Sequence, residues 1–139
     1  MPAAAPKDKV YANAMKARRR ILGDKYVDCA QKNVRPHTRE FQDMIVRYGW
    51  TVWTRPRLDD RTRRILVLGT MVAIGRWEEF DMHLRAALED GFSVKDVKEV
   101  LIQQAIYCGV PAANTAFHHL NALIDELTAQ GVKLKDLEK

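Results

Sequence analysis

Apolar side chains recur at intervals of three and four residues along nearly the whole chain, and this spacing limits the fold more than any other feature. The most regular stripe follows Pro111 and comprises Ala113, Ala116, Phe117, Leu120, Ile124 and Leu127. Glycines separate the periodic segments, at Gly23, Gly49, Gly75, Gly91, Gly109 and Gly131. No alternating strand pattern extends over a useful length. The sequence therefore predicts an all-α fold, a compact bundle of five or six helices.

Loop and capping signals refine this prediction in two places. The segment from Trp50 to Pro56 follows a glycine and ends in a proline, which predicts an ordered loop. The residues from Ser93 to Asp96 resemble a capping box in which aspartate replaces glutamate, and they predict the start of a helix. We expect a single domain over residues 1–139, with loose ends at residues 1–7 and 132–139.

The length of 139 residues, with 47% of them apolar, suffices for one domain with a hydrophobic core. The longest uncharged apolar run, from Ile65 to Gly75, is shorter than the ~18 residues of a spanning helix, so we expect no membrane partner. The first residues lack the layout of a secretory signal, which predicts a cytoplasmic protein. Cys29 and Cys108 stand in no CxxC or CxxH pattern, which predicts free thiols.

Charge is distributed unevenly along the chain. Residues 1–64 hold 16 basic and 7 acidic side chains, a net of +9, whereas residues 65–139 hold 7 and 11, a net of −4. The basic half could attract an anion and the acidic half could neutralise it in another subunit, although a merely solvated surface gives the same count. The run Arg18-Arg19-Arg20 accompanies no nucleic-acid-binding motif, so we expect no nucleic-acid partner.

Glu79 and His83 lie one helical turn apart on the same flank of a predicted helix. A carboxylate beside an imidazole can orient the ring and raise its pKa, which suits a proton donor near neutral pH. An ordinary surface pair has the same spacing and is the structural alternative.

Three further residues could line a pocket. Trp53 and Arg55 combine aromatic surface with a guanidinium, a pairing suited to a flat carboxylated ring, although the tryptophan could also be a packing anchor. Cys108 ends its predicted helix beside a glycine, where a concave spot could form, but a cysteine in this position is most often a small buried hydrophobe, and the sequence identifies no base that would activate its thiol. His118 and His119 cannot face one metal from the same side of a helix, and we expect no metal.

Strings spread over the chain form one consistent pattern: Phe41-Gln42-Asp43, Trp53-Thr54-Arg55-Pro56, Arg61-Thr62-Arg63, Ala73-Ile74-Gly75-Arg76, Glu79-Phe80, His83-Leu84-Arg85-Ala86-Ala87, Lys98-Glu99-Val100-Leu101 and the ten residues from Ala105 to Asn114. This pattern resembles that of the γ-carboxymuconolactone decarboxylases, in register from about Arg18 to Leu127.

The resemblance implies the fold of the alkylhydroperoxidases, assembled as a homo-oligomer, a trimer or a hexamer. It also implies a cofactor-free lyase of protocatechuate catabolism that converts 4-carboxymuconolactone to the enol-lactone of β-ketoadipate. Glu79 and His83 fall on the acidic and histidine positions of the family, and Cys108 falls on its Tyr-Cys-Gly element. Pro111 occupies the second cysteine position of the alkylhydroperoxidases, which disfavours dithiol peroxidase chemistry.

Two departures from the family pattern concern a predicted pocket wall. Tyr26 stands where the pattern often has histidine, and Arg57 stands where glycine is usual. We therefore include Tyr26 among the substrate-binding residues. The alternatives are an enzyme of the same fold acting on another small carboxylated lactone, and a non-catalytic binding or assembly module.

The implied reaction predicts a role for each residue. The conjugated lactone accepts the electrons released with CO2, so no cofactor is required. His83 would donate a proton, Glu79 would orient it, and Arg55 with Trp53 would anchor the substrate. Cys108 and Tyr26 would line the pocket.

Overall fold

Helices form every regular element of residues 8–138, which are the residues that the computed structural model describes, and the predicted all-α class is confirmed. The chain divides into two compact units, with the boundary after Asp60. We call these unit 1 and unit 2. The prediction of one domain over the whole chain stays a prediction.

Unit 1 contains three α-helices and two tighter helical segments. They are α1 (Lys9–Leu22), α2 (Asp24–Lys32), α3 (Arg39–Met44), a π-helical turn (Ile45–Gly49) and a 3-10 helix (Trp50–Thr54). Unit 2 contains α5 (Trp77–Glu89), α6 (Val94–Cys108), α7 (Val110–Ala129) and all but the first residue of α4 (Asp60–Ile74). The described residues thus form seven α-helices rather than the predicted five or six, because the segment after Gly23 is also helical, as α2.

Helix α1 packs against α2, the π-helical turn and the 3-10 helix of unit 1. The carboxylate of Asp8 accepts a hydrogen bond from the Tyr11 backbone N–H at 2.7 Å and so caps the helix start. Ala14 and Ala17 are fully buried, and their small side chains allow the π-helical turn and the 3-10 helix to pack closely. Trp50 stacks on Trp53 with ring centroids 5.7 Å apart, which fixes the 3-10 helix.

The loop predicted from Trp50 to Pro56 is wrong over most of its length, because the chain stays helical through Thr54. Gly49 adopts helical dihedral angles, so this glycine does not end the preceding helical run. The Thr54 hydroxyl donates to the Thr51 carbonyl at 2.7 Å, and Arg55 then becomes extended, as a residue before proline must.

The core of unit 2 is formed by apolar side chains of α4, α5, α6 and α7. Its completely buried members are Leu68, Phe80, Leu84, Ala87, Val97, Leu101, Ala116 and Leu127. On α7, His119 pairs with Asp81 of α5 at 2.7 Å and stacks on Trp77 at 5.1 Å. This pairing fixes α5 against α7 and makes His119 a half-buried packing residue.

Residues 132–138 are held against the start of α6, contrary to the loose end expected there. Val132 and Leu134 pack on the core, and the Val94 backbone N–H donates to the Lys135 carbonyl at 3.0 Å. The Ser93 hydroxyl donates to the Asp136 carboxylate at 2.6 Å, so it does not form the predicted capping box. Residues 1–7 and 139 lie outside the described part of the chain.

No helix among residues 8–138 is both long enough and apolar enough to cross a membrane. The cytoplasmic location stays a prediction.

Candidate active site

His83 lies in the buried stripe of α5 rather than on its flank. It follows Phe80 by three residues and precedes Ala87 by four, and both of these are completely buried. His83 itself is 8% exposed. The helical period therefore places an imidazole among core side chains, where its charged form is poorly solvated.

Burial, and after it the positive charge of Arg64, lowers the pKa of His83 to about 4, although the charge of Glu79 acts in the opposite direction. The expectation that Glu79 raises the His83 pKa above its usual value is wrong, because desolvation outweighs the single carboxylate. At neutral pH the imidazole of His83 is therefore uncharged when no substrate is bound.

Glu79 is held by its neighbour at the start of the same helix. The Arg76 guanidinium donates a hydrogen bond to the Glu79 carboxylate at 2.8 Å, and this bond lowers the pKa of Glu79. Glu79 is thus a carboxylate at neutral pH, and its side chain is 36% exposed. Arg76 precedes α5 and Glu79 lies in its first turn, both partly exposed, whereas His83, one turn after Glu79, is buried, and the charge of Glu79 acts on its imidazole.

Arg64 is a residue that the sequence analysis did not assign to the site. It precedes the buried Leu68 and Val72 by four and eight residues, so it occupies a core position of α4, and it is 3% exposed. Its guanidinium donates to the Asp90 carboxylate at 3.0 Å. In the sequence, this burial is indicated by the helical spacing of Arg64 from the apolar residues Leu68 and Val72. Because Arg64 is buried, its charge acts on His83 with little screening by water.

Cys108 is the last residue of α6 and is half-buried as a free thiol. Gly109 follows with a φ of +98°, a conformation in which other residues are strained, so the chain turns sharply into α7. Pro111 stands in the first turn of α7, where its missing N–H costs no hydrogen bond. The role of Cys108 as a pocket-lining residue stays a prediction.

The predicted site residues of unit 1 lie in two places. Trp53 and Arg55 line the same open cleft, of about 670 Å³, together with Arg20 and Asp60. Arg20 donates to the Trp53 carbonyl and to both Asp60 carboxylate oxygens, which holds this cleft in shape. Tyr26 lies on α2, is 41% exposed and is not among the residues that line the cleft.

Metal ligands do not cluster in the part of the chain that the structure describes, where no group of three or more His, Cys, Asp or Glu side chains could hold an ion.

The low pKa of His83 predicts an acid-dependent loss of stability. His83 prefers to be neutral when folded, so its contribution is fully present above the ordinary histidine pKa of 6.5 and is lost as the pH falls towards 4. We expect the unfolding free energy of the wild type, measured with denaturant, to fall between pH 6.5 and pH 4. In His83→Gln this fall should be smaller by up to about 3 kcal/mol.

The matched control is His118→Gln, which removes an exposed imidazole. Equal pH slopes for the wild type and His83→Gln, or the same flattening in the control, would contradict the assignment of the acid dependence to His83.

Comparison with known proteins identifies the family. A sequence model of the carboxymuconolactone decarboxylase family matches residues 39–122, more than half of the chain. A 4-carboxymuconolactone decarboxylase of Acinetobacter baylyi is 33% identical over 118 residues, which cover 84% of this chain and 88% of the relative. The nitrosuccinic acid decarboxylase npaB of Metarhizium robertsii is 32% identical over 124 residues, covering 88% and 87%. The chain belongs to the carboxymuconolactone decarboxylase family.

Proposed function

We propose that this chain is a carboxy-lyase that converts 4-carboxymuconolactone to the enol-lactone of β-ketoadipate in the catabolism of protocatechuate. The observation that carries the proposal is the buried, neutral imidazole of His83 under the field of the buried Arg64 guanidinium, in a chain related to two decarboxylases. Both relatives are named as enzymes, which argues against a non-catalytic assembly module.

The chemistry requires an electron sink, and the substrate can provide it. In 4-carboxymuconolactone the leaving carboxylate is attached to a ring carbon that a C=C bond links to the lactone carbonyl, so the electrons of the breaking C–C bond pass through that double bond into the carbonyl. The resulting dienolate needs a proton on carbon. The chain must then supply an anion-attracting environment, a hydrogen-bond donor and an acid.

Arg64 and His83 can meet these requirements in two successive steps. Arg64 attracts the substrate anion, and the arriving negative charge offsets the effect of Arg64 on the imidazole. The pKa of His83 then rises, so it can take up a proton and deliver it to the dienolate carbon as general acid. Glu79, held as a carboxylate by Arg76, favours the same protonated state. Trp53 and Arg55 keep their predicted role as substrate anchors, and Tyr26 and Cys108 keep theirs as lining residues.

A second candidate substrate is nitrosuccinic acid, since the relative that acts on it is 32% identical over 88% of this chain. A nitro group beside the leaving carboxylate accepts the electron pair as a lactone carbonyl does. The same anion-attracting arginine and the same acid would serve both reactions. The two candidates are separated by offering each acid to the purified protein and measuring the CO2 released.

Replacement of His83 tests the proposed acid. His83→Gln should reduce kcat on 4-carboxymuconolactone by roughly 10²- to 10⁴-fold, the usual contribution of a general acid. The loss of conjugated absorbance of the substrate measures the rate. His118→Gln should keep the wild-type rate, and near-normal turnover by His83→Gln would remove His83 from the mechanism.

Replacement of Cys108 separates proton transfer from thiol chemistry. Cys108→Ser should retain turnover, because the proposed steps use no nucleophile. We expect a kcat within a few-fold of the wild type in the same absorbance assay. Abolished turnover in a folded Cys108→Ser protein would instead indicate a thiol mechanism.

The predicted homo-oligomer is supported by an apolar face on unit 2. A groove of about 520 Å³ runs between α4 and α6, and its apolar lining residues are Ile65, Leu66, Ala73 and Val100. Nearby on α6, Ile102 is 47% and Ile106 78% exposed. An apolar surface of this kind is typical of an interface.

We propose that a second copy of the chain covers this face. Asp96 in the groove is already paired with Arg61 at 2.9 Å, but Glu99 also lines it, and residues 1–64 carry a net charge of +9, so the basic half of another copy complements this carboxylate. A trimer or a hexamer built in this way would leave each copy with its own groove covered.

A charge placed on this face should weaken assembly. Ile106→Glu should lower the mass measured by light scattering after size-exclusion chromatography, because a carboxylate would be buried in the interface. Val10→Glu, which changes an apolar residue of unit 1 that is 54% exposed, is the matched control. An unchanged mass for Ile106→Glu would exclude this face as the interface.

A further inference from the structure

Three consecutive arginines of α1 have different surroundings. Arg19 donates to Asp24 at 3.1 Å and to Asp28 at 2.8 Å. Arg20 pairs with Asp60, as described above. The Arg18 guanidinium makes no hydrogen bond and no ion pair with any residue of the described range 8–138. Helix α1 thus contains one guanidinium, that of Arg18, whose positive charge no described carboxylate neutralises.

Arg18 is also the most buried of the three. It is 7% exposed, and its Nε atom is completely enclosed without a hydrogen-bond partner. It lies four residues after Ala14 and three before Ile21, both of them core residues of α1. The helical period therefore directs this side chain into the same buried region as the apolar stripe.

A buried guanidinium without a counter-charge is costly for the folded chain. Burial lowers the pKa of Arg18, but a guanidinium stays protonated at any pH that a folded protein survives. Arg47 of the same unit shows the usual solution, because it is only partly buried and still binds Asp8 and Asp43 at 2.7 Å each. Residues 1–7 contain no acidic side chain that could serve Arg18 instead.

The groups near Arg18 suit an organic anion. Tyr26 and Tyr11 both lie close enough to Arg18 to interact with it electrostatically. Both carry a phenol hydroxyl that can donate to an oxygen, and an aromatic face that can cover a small carbon skeleton. A guanidinium and phenol groups together are the usual partners of a carboxylate.

We propose that Arg18 is an anion-binding residue of unit 1 that takes up a carboxylate of a small carboxylic acid, the substrate itself. The proposal rests on the proposed function for the identity of the acid. The binding of a carboxylate by Arg18 does not depend on the proposed function. A bound carboxylate would supply the counter-charge that the described residues lack. The phenol of Tyr26, which stands where the family pattern often has histidine, would then serve as a hydrogen-bond donor to that carboxylate.

The experiment measures binding and turnover separately in the full chain. The wild type, Arg18→Met and Arg19→Met are titrated with succinate in a buffer free of other carboxylates, and the melting temperature is recorded. Succinamide, which is uncharged, and sodium chloride at matched ionic strength are the reference additives. Arg18→Met keeps the length and apolar stem of the side chain, so we expect it to fold.

We expect succinate to raise the melting temperature of the wild type and of Arg19→Met, but not that of Arg18→Met. Without succinate, Arg18→Met should be at least as stable as the wild type, because it removes an uncompensated charge. Arg18→Met should also raise KM for the carboxylated substrate roughly 10- to 100-fold, the value of a charge-assisted hydrogen bond, with a smaller effect on kcat.

Other results would overturn the proposal. An equal response of Arg18→Met to succinate, or a wild-type KM in that variant, would exclude Arg18 as the anion site while leaving the decarboxylase proposal intact. A lower oligomer mass in Arg18→Met with no succinate response in the wild type would assign the counter-charge to a second copy. Arg18-dependent succinate binding without turnover of either candidate acid would contradict the proposed function alone.

Discussion

The cost of burying a charge is the physical constraint on which the chemistry of this chain depends. Three helices place a basic side chain at a position that their apolar period assigns to the core: Arg18 on α1, Arg64 on α4 and His83 on α5. Each is less than a tenth exposed. In a poorly solvated environment a charge acts strongly on its neighbours, so such positions are expensive for stability and useful for binding anions.

Within unit 2 this constraint sets the protonation of the proposed acid. Desolvation and Arg64 favour a neutral His83, while Glu79 favours the protonated form but is itself tied to Arg76. An anion can shift this balance, because a negative ligand offsets the charge of Arg64, the second cause of neutrality after desolvation. In the proposed mechanism, substrate binding and proton uptake are coupled through the local field.

The two relatives place this coupling in a chemical context. Carboxymuconolactone and nitrosuccinic acid differ in skeleton, yet both are acids with an electron-withdrawing group that can accept the charge left by CO2. A protein that acts on such acids needs little beyond anion binding and a proton. In the proposed mechanism, arginine and histidine side chains supply these, and Tyr26, in its predicted role as a pocket-lining residue, would help to select the skeleton.

The sequence by itself determined the helical class, most helix boundaries and the spacing of Glu79 and His83, because these follow from local periodicity and turn residues. It did not determine that Trp50 to Thr54 is helical, since Gly49 can adopt either conformation and packing against α1 selects one. Nor did it determine the His83 pKa or the burial of Arg64 and Arg18. Those depend on which side chains surround each group, and desolvation is a property of the packed structure and not of the chain order.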